Sequence, residues 1–184
     1  MGNGSRQAVF LDRDGVLNSA VVKKGRPYPP SGLHELEVPC GVLESLKALK
    51  EAGFILIVVT NQPDVARGTQ SQETVEAINN ALRGSLPLDD IFVCYHDDQD
   101  GCECRKPAPG LLMQAASQYN IDVSSSFIVG DRWKDVEAGR RAACTTIMID
   151  LGYAESVHSQ PDQWVDSLPE ATEWIIGKMN KRES

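Results

Sequence analysis

The sequence predicts an α/β fold, a Rossmann-like parallel sheet with helices on both faces. Two observations predict it. Short apolar runs alternate with segments of helical period along the 184 residues. Polar residues gather at the ends of those runs, where ligands bind in open α/β sheets.

The run at 8–11, Ala-Val-Phe-Leu, is short and apolar, as a buried strand is, and it ends in Asp12 and Asp14 with Gly15 to turn the chain. Residues two apart on a strand share a face, so both carboxylates leave it together. Adjacent acids repel each other unless a cation or a shared proton holds them, which marks a metal-assisted site. Residues 19–39, with Gly25-Arg26-Pro27-Tyr28-Pro29-Pro30, form one long irregular stretch, expected to be a substrate-side loop. Val42, Leu43, Leu46 and Leu49 mark a helix that Gly53 closes. A strand follows at 55–60. Val75, Ile78 and Leu82 mark a second helix, introduced by Thr69 with Gln72 three residues on, a capping-box pattern. A strand at 91–94 precedes a third helix, which starts after Pro107 and carries Leu111, Leu112, Ala115, Ala116 and Tyr119. A strand at 127–129, a helix at 134–143 and a strand at 145–149 complete the alternation. In the tail, Trp164-Val165-Asp166 adds a short edge strand. Ser167-Leu168-Pro169-Glu170 then opens a last helix with Trp174, Ile175 and Met179. With no repeat or linker, residues 1–184 read as a single domain.

The net charge of -8 disfavours nucleic-acid or anionic-membrane partners, which need basic stripes. No apolar stretch approaches the roughly 20 residues of a membrane span. The opening Met-Gly-Asn-Gly-Ser has no basic segment followed by an apolar core and reads as a flexible lead-in. Five cysteines, three of them clustered, suggest a metal site in a reducing, cytoplasmic setting rather than a disulfide framework. A monomer is expected.

Four strand ends carry candidate chemistry: Asp12-Arg13-Asp14-Gly15, Thr60-Asn61-Gln62, Arg105-Lys106-Pro107 and Gly130-Asp131-Arg132, with Asp135 just beyond. Gathered at one sheet edge, they supply what phosphoryl transfer requires. A carboxylate can attack phosphorus. Magnesium takes oxygen ligands, and a lysine and a hydroxyl stabilise the charge on the transferring group. A second acid protonates the leaving alkoxide and then activates water. Each piece alone is ordinary turn chemistry, but the four in order are hard to produce from loop statistics.

This set resembles the haloacid dehalogenase superfamily of aspartate-nucleophile phosphatases over nearly the whole chain. The resemblance makes Asp12 the nucleophile and Asp14 the general acid and base. Thr60 and Lys106 then hold the phosphoryl group. Asp12, the backbone carbonyl of Asp14, and Asp131 ligate Mg2+, and Asp135 stands behind them.

Cys94, His96, Cys102 and Cys104 fall within eleven positions and suit a tetrahedral Cys₃His zinc site of structural type. Such a Zn2+ clip steadies the loop that carries Arg105 and Lys106. It resembles the subgroup of heptose-bisphosphate and histidinol-phosphate phosphatases, which has no large cap domain. Thr60-Asn61-Gln62 with Ala66-Arg67-Gly68 looks more like the heptose branch. That branch implies hydrolysis of the 7-phosphate of a heptose 1,7-bisphosphate, with histidinol phosphate as the alternative. Arg105 then binds substrate phosphate, and Asn61 also belongs to the substrate side. Arg67 either meets the sugar or its distal phosphate, or is a solvated loop cation. A zinc-stabilised binding module is the rival from outside enzymology, disfavoured by the acidic residues 97–100.

Overall fold

In the computed structural model, residues 5–156 and 158–182 are described; the expected lead-in at 1–4 lies outside them. Six strands form one parallel sheet: β1 (Ala8–Leu11), β4 (Ile55–Asn61), β5 (Asp90–Cys94), β6 (Phe127–Gly130), β7 (Thr145–Ile149) and β8 (Gln163–Val165). Their spatial order is β5-β4-β1-β6-β7-β8. The chain leaves β1 toward β4 and β5, then returns to β1's other side with β6, so the order reverses at β1. In open α/β sheets that reversal opens the ligand crevice at the strands' carboxyl ends. Leu11 pairs with Val58 on one side and Val129 on the other, which brings the ends of β1, β4 and β6 together.

Alternation along the strands builds a core on each face. Val9, Leu11, Leu56, Val58, Phe127 and Val129 pack toward α1 (Val42–Glu51), α2 (Gln72–Ser85) and α5 (Leu168–Arg182). Ala8, Phe10, Ile55, Ile57, Val59 and Ile128 face α3 (Gly110–Tyr119) and α4 (Trp133–Arg141). Fully buried side chains such as Leu46, Leu49 and Ile78 each stabilise the fold by about 1.5–3 kcal/mol. In the tail, the Trp174 ring meets Phe127 edge-on at 6.4 Å.

Three local expectations change. The cap of α2 is Ser71, whose hydroxyl accepts the Thr74 N–H at 3.2 Å; Thr69 lies too far upstream. At α5, Ser167 Oγ accepts the Glu170 N–H, but Glu170 reaches back to the Asp166 N–H rather than to Ser167. The stretch 19–39 is not wholly irregular. It folds an antiparallel hairpin from β2 (Val21–Lys23) and β3 (Arg26–Tyr28) across Lys24-Gly25. Those two turn residues have φ of 52° and 75°, the left-handed pair that matches hairpin twist. No large cap is present among the described residues. No helix of the described residues is long and apolar enough to cross a membrane.

Candidate active site

At the carboxyl end of β1, Asp12 meets three buried charges from three other elements. Oxygens of Asp12, Asp131 and Asp135 lie within 4.8 Å of one another. Lys106, 2 % exposed, reaches into them. Its ammonium donates to Asp12 Oδ1 at 2.9 Å, to the Val59 carbonyl at 2.7 Å and to Asp135 Oδ1, which uses all three of its hydrogens. Asp12 Oδ1 also accepts the Arg13 N–H at 2.8 Å. Its Oδ2 has no such donor among the described residues.

The charge does not balance. Burial raises Asp12 to about 6; Lys106 opposes the shift, while Asp135 and Asp14 add to it. Asp131 is raised well above the usual carboxylate range, by burial first and then by Asp12 and Asp135. Burial pulls Lys106 down, but Asp12 and Asp135 more than reverse that and leave it raised. Neither Asp131 oxygen finds a hydrogen-bond partner of normal geometry, although the Tyr153 hydroxyl faces them. A buried carboxylate left this way points to a cation. Oxygen donors alone, grouped this closely, fit a hard divalent ion such as magnesium.

Two glycines make the crowding possible. A Cβ on Gly15, whose φ is +90°, would stand 2.0 Å from Asp131 Oδ2. One on Gly130 would stand 2.2 Å from Asp135 Cβ. The closeness of the acids is therefore built into the backbone.

Asp14 lies beside this group rather than in it. Its carboxylate accepts from Arg13 at 3.0 and 3.2 Å, from Asn18 Nδ2 at 3.0 Å and from Gln62 Nε2 at 2.8 Å. Arg13 is fully buried, and its Nη1 donates to Asn79 Oδ1 at 3.0 Å. From the sequence, Arg13 and Asn18 either orient the site loop or play backbone turn roles, and nothing there marks Asn79 and Gln62 as parts of the clamp. Arg13→Met takes away two of Asp14's four donor contacts with their charge and leaves Asn79 Oδ1 without its donor. The expected loss is about 3 kcal/mol, read as a lower denaturant midpoint at unchanged slope. A loss below about 1 kcal/mol would mean that the clamp does not hold the fold.

Thr60, also buried, accepts from Gln62 Nε2 at 2.9 Å, which leaves its own hydroxyl hydrogen for the cavity. Asn61 was expected on the substrate side. It lines the cavity, and both ends of its amide bind the Lys106 backbone, Nδ2 to the carbonyl at 2.9 Å and Oδ1 from the N–H at 3.0 Å. It fixes the lysine's loop to β4.

The four expected zinc ligands come together. Sγ atoms of Cys94, Cys102 and Cys104 and Nδ1 of His96 are 3.1 to 3.7 Å apart in the five pairs that touch. Donors around a tetrahedral zinc with metal–sulfur arms of ~2.3 Å stand roughly 3.8 Å apart, so the set fits the ion. Burial opposes ionisation of Cys102, but contacts from Cys104 and the Arg105 N–H outweigh it and lower the thiol to about 7. The acidic loop that follows takes up two nearby arginines. Arg67 grips Asp97 with two nitrogens, Nε at 2.9 Å, and Arg105 Nε donates to Asp98 at 2.8 Å. The Arg67 hydrogen bond is the largest cause holding Asp97 down at about 2.

These groups open onto a cavity of about 370 Å³, lined by Asp12, Asp14, Thr60, Asn61, Arg67 and Lys106 among others. Arg105 is not among the lining residues. The hairpin supplies the outer wall through Arg26, Pro27 and Tyr28. It is pinned at both ends: Gly25 O accepts the Ala154 N–H at 3.2 Å, and Pro30 O accepts Gln70 Nε2 at 2.7 Å.

Known proteins resemble this chain in sequence and fold. The HAD-hydrolase-like family model matches residues 103–171. The D-glycero-beta-D-manno-heptose-1,7-bisphosphate 7-phosphatase of Helicobacter pylori is 33% identical over 179 residues, covering 93% of this chain and 98% of that protein. The enzyme of the same name from Pseudomonas aeruginosa is 34% identical over 175 residues, 91% of each chain. Among solved structures, the D,D-heptose 1,7-bisphosphate phosphatase from B. bronchiseptica, crystallised with magnesium and phosphate, superposes with a TM-score of 0.80. Its sequence identity is 28%, over 94% of this chain and 99% of that one. The chain belongs to the haloacid dehalogenase-like hydrolases, in the family that contains the heptose bisphosphate phosphatases.

Proposed function

We propose that this chain is a magnesium-dependent, zinc-stabilised phosphatase that hydrolyses the 7-phosphate of D-glycero-D-manno-heptose 1,7-bisphosphate through an aspartyl-phosphate on Asp12. The observation that carries the chemistry is the state of Asp12. One of its oxygens is fixed by Lys106 and the Arg13 N–H, and the other is left without a donor. The substrate rests on the names of the relatives.

Asp12 Oδ2 attacks phosphorus as the bond to the sugar oxygen breaks. Asp14, whose carboxylate rests on Arg13, Asn18 and Gln62, first takes a proton from solvent and then gives it to the departing alkoxide. Asp14 then takes a proton from water, whose oxygen attacks phosphorus. The bond to Asp12 breaks, free phosphate leaves, and both acids return to the forms they held before the attack. Thr60 donates its remaining hydrogen to a phosphoryl oxygen. Lys106 has no idle hydrogen, so it turns one from Asp12 to the phosphoryl group as Asp12 loses its charge. Asp12, Asp131 and the Asp14 carbonyl would hold a magnesium ion, which would supply the positive charge that this buried acid group lacks. Asp135 keeps Lys106 in place and accepts the Arg132 N–H at the start of α4. Asn61 acts through the Lys106 backbone. The zinc clip holds the loop bearing Arg105 and Lys106 and takes no part in the reaction. Every residue used lies on one chain and one domain, so a monomer suffices. Three clustered thiols suit the cytoplasm.

A substrate panel tests this reading. With magnesium present, kcat/KM for heptose 1,7-bisphosphate is expected to exceed that for histidinol phosphate by at least about tenfold. The opposite order would overturn the substrate while leaving the chemistry standing.

A further inference from the structure

The hairpin carries a cation that the mechanism leaves unused. Five cationic side chains line the cavity: Arg26, Arg67, Lys106, Arg132 and Lys134. Four of them already have acid partners. Lys106 has Asp12 and Asp135, Arg67 has Asp97, Arg132 has Glu155, and Lys134 is 3.6 Å from Asp98. Arg26 has no ion pair among the described residues. A substrate anion that recruits any of the other four must draw it away from a carboxylate it already holds. Arg26 gains a partner without giving one up.

Its position is also fixed. Arg26 opens β3 opposite Lys23, directly after the left-handed Lys24-Gly25 turn. The Gly25 carbonyl is tied to Ala154, and Pro30, beyond the far end of β3, is tied to Gln70. Pro27, Pro29 and Pro30 restrict φ along the same segment. Arg26 is therefore an exposed residue that lines the same cavity as Asp12, Asp131 and Asp135, on a strand whose backbone is tied down before and after it. A planar guanidinium binds phosphate through two parallel hydrogen bonds.

The geometry points to Arg26 as a specificity-determining residue that pairs with the second, distal phosphate of a sugar bisphosphate while the reacting phosphate sits at Asp12. This rests on the phosphatase reading above. A second phosphate brings about −1.5 to −2 of further charge into a cavity whose own cations are otherwise spoken for. A free guanidinium at the rim converts that charge from a liability into a selection for bisphosphates over monophosphates.

The experiment compares wild type, Arg26→Gln and Arg26→Lys on heptose 1,7-bisphosphate and heptose 7-phosphate in saturating magnesium. Wild type is expected to prefer the bisphosphate. Arg26→Gln should lower kcat/KM for the bisphosphate by about tenfold to a hundredfold, mainly through KM. That loss should be at least about ten times the loss on the monophosphate, and Arg26→Lys should recover part of it. Equal losses on the two substrates, or no loss on either, overturn the assignment of Arg26. So does a wild type that turns over both substrates equally, and the phosphatase reading survives all three results. A wild type that releases no phosphate from either substrate, nor from p-nitrophenyl phosphate, overturns both.

Discussion

Asp12→Asn is expected to abolish turnover, lowering kcat by at least about 10⁴-fold, which is about 5.5 kcal/mol of transition-state stabilisation. The amide keeps the shape of the side chain but supplies no anionic oxygen to attack phosphorus. The same change removes one charge from a group of three acids that share a single buried lysine. Burial already raises Asp12 to about 6, so keeping it ionised at neutral pH costs the fold stability. Thermal stability without magnesium should therefore hold or rise while activity vanishes. Loss of both together would point to a folding role. Undiminished turnover would remove Asp12 from the nucleophile's place.

The second large effect lies at the zinc clip. Cys104 is the best-connected donor, touching Cys94 at 3.1 Å, His96 at 3.2 Å and Cys102 at 3.3 Å. Cys104→Ser should deplete bound zinc, which elemental analysis of wild type is expected to show at about one ion per chain. Structural zinc binding is coupled to folding, and an ion held here would order the loop between β5 and α3. A loss of about 3–5 kcal/mol corresponds to a melting point lower by roughly 10–15 °C for a domain of this size. Activity should fall with it, because Arg105 and Lys106 follow Cys104 directly. A magnesium chelator should stop activity with little change in melting point. A Cys104→Ser protein with the wild-type melting point would leave the clip without a structural role.

Much of this was legible in the sequence because strand patterning is a strong signal. The apolar runs leading to Asp12, Thr60 and Asp131 could belong only to buried strands, and the strand order then brings their ends together. The zinc donors were legible for another reason: four soft ligands so close in the chain have few other uses. What stayed hidden lacks a periodic signature. The hairpin around Gly25 is exposed and rich in proline, so no alternation marks it as strand. Arg13 reads equally well as orienting the site loop or as a turn residue, and its full burial is set by tertiary packing that the motif does not encode. Gln62 and Asn79 meet Asp14 and Arg13 through tertiary contacts that spacing does not encode. Asn61 reads as a substrate contact because it follows Thr60, and its bond to the Lys106 backbone, 45 positions away, is one that spacing does not encode.

The central claim is that Asp12 becomes phosphorylated, and trapping that species tests it most directly. Wild type mixed with substrate and magnesium, quenched within a turnover and reduced with borohydride, should have the acyl phosphate at residue 12 converted to homoserine. Peptide mass analysis would then locate the change at that residue alone, and omitting substrate should abolish it. Reduction at another carboxylate, or at none during steady turnover, would contradict the account.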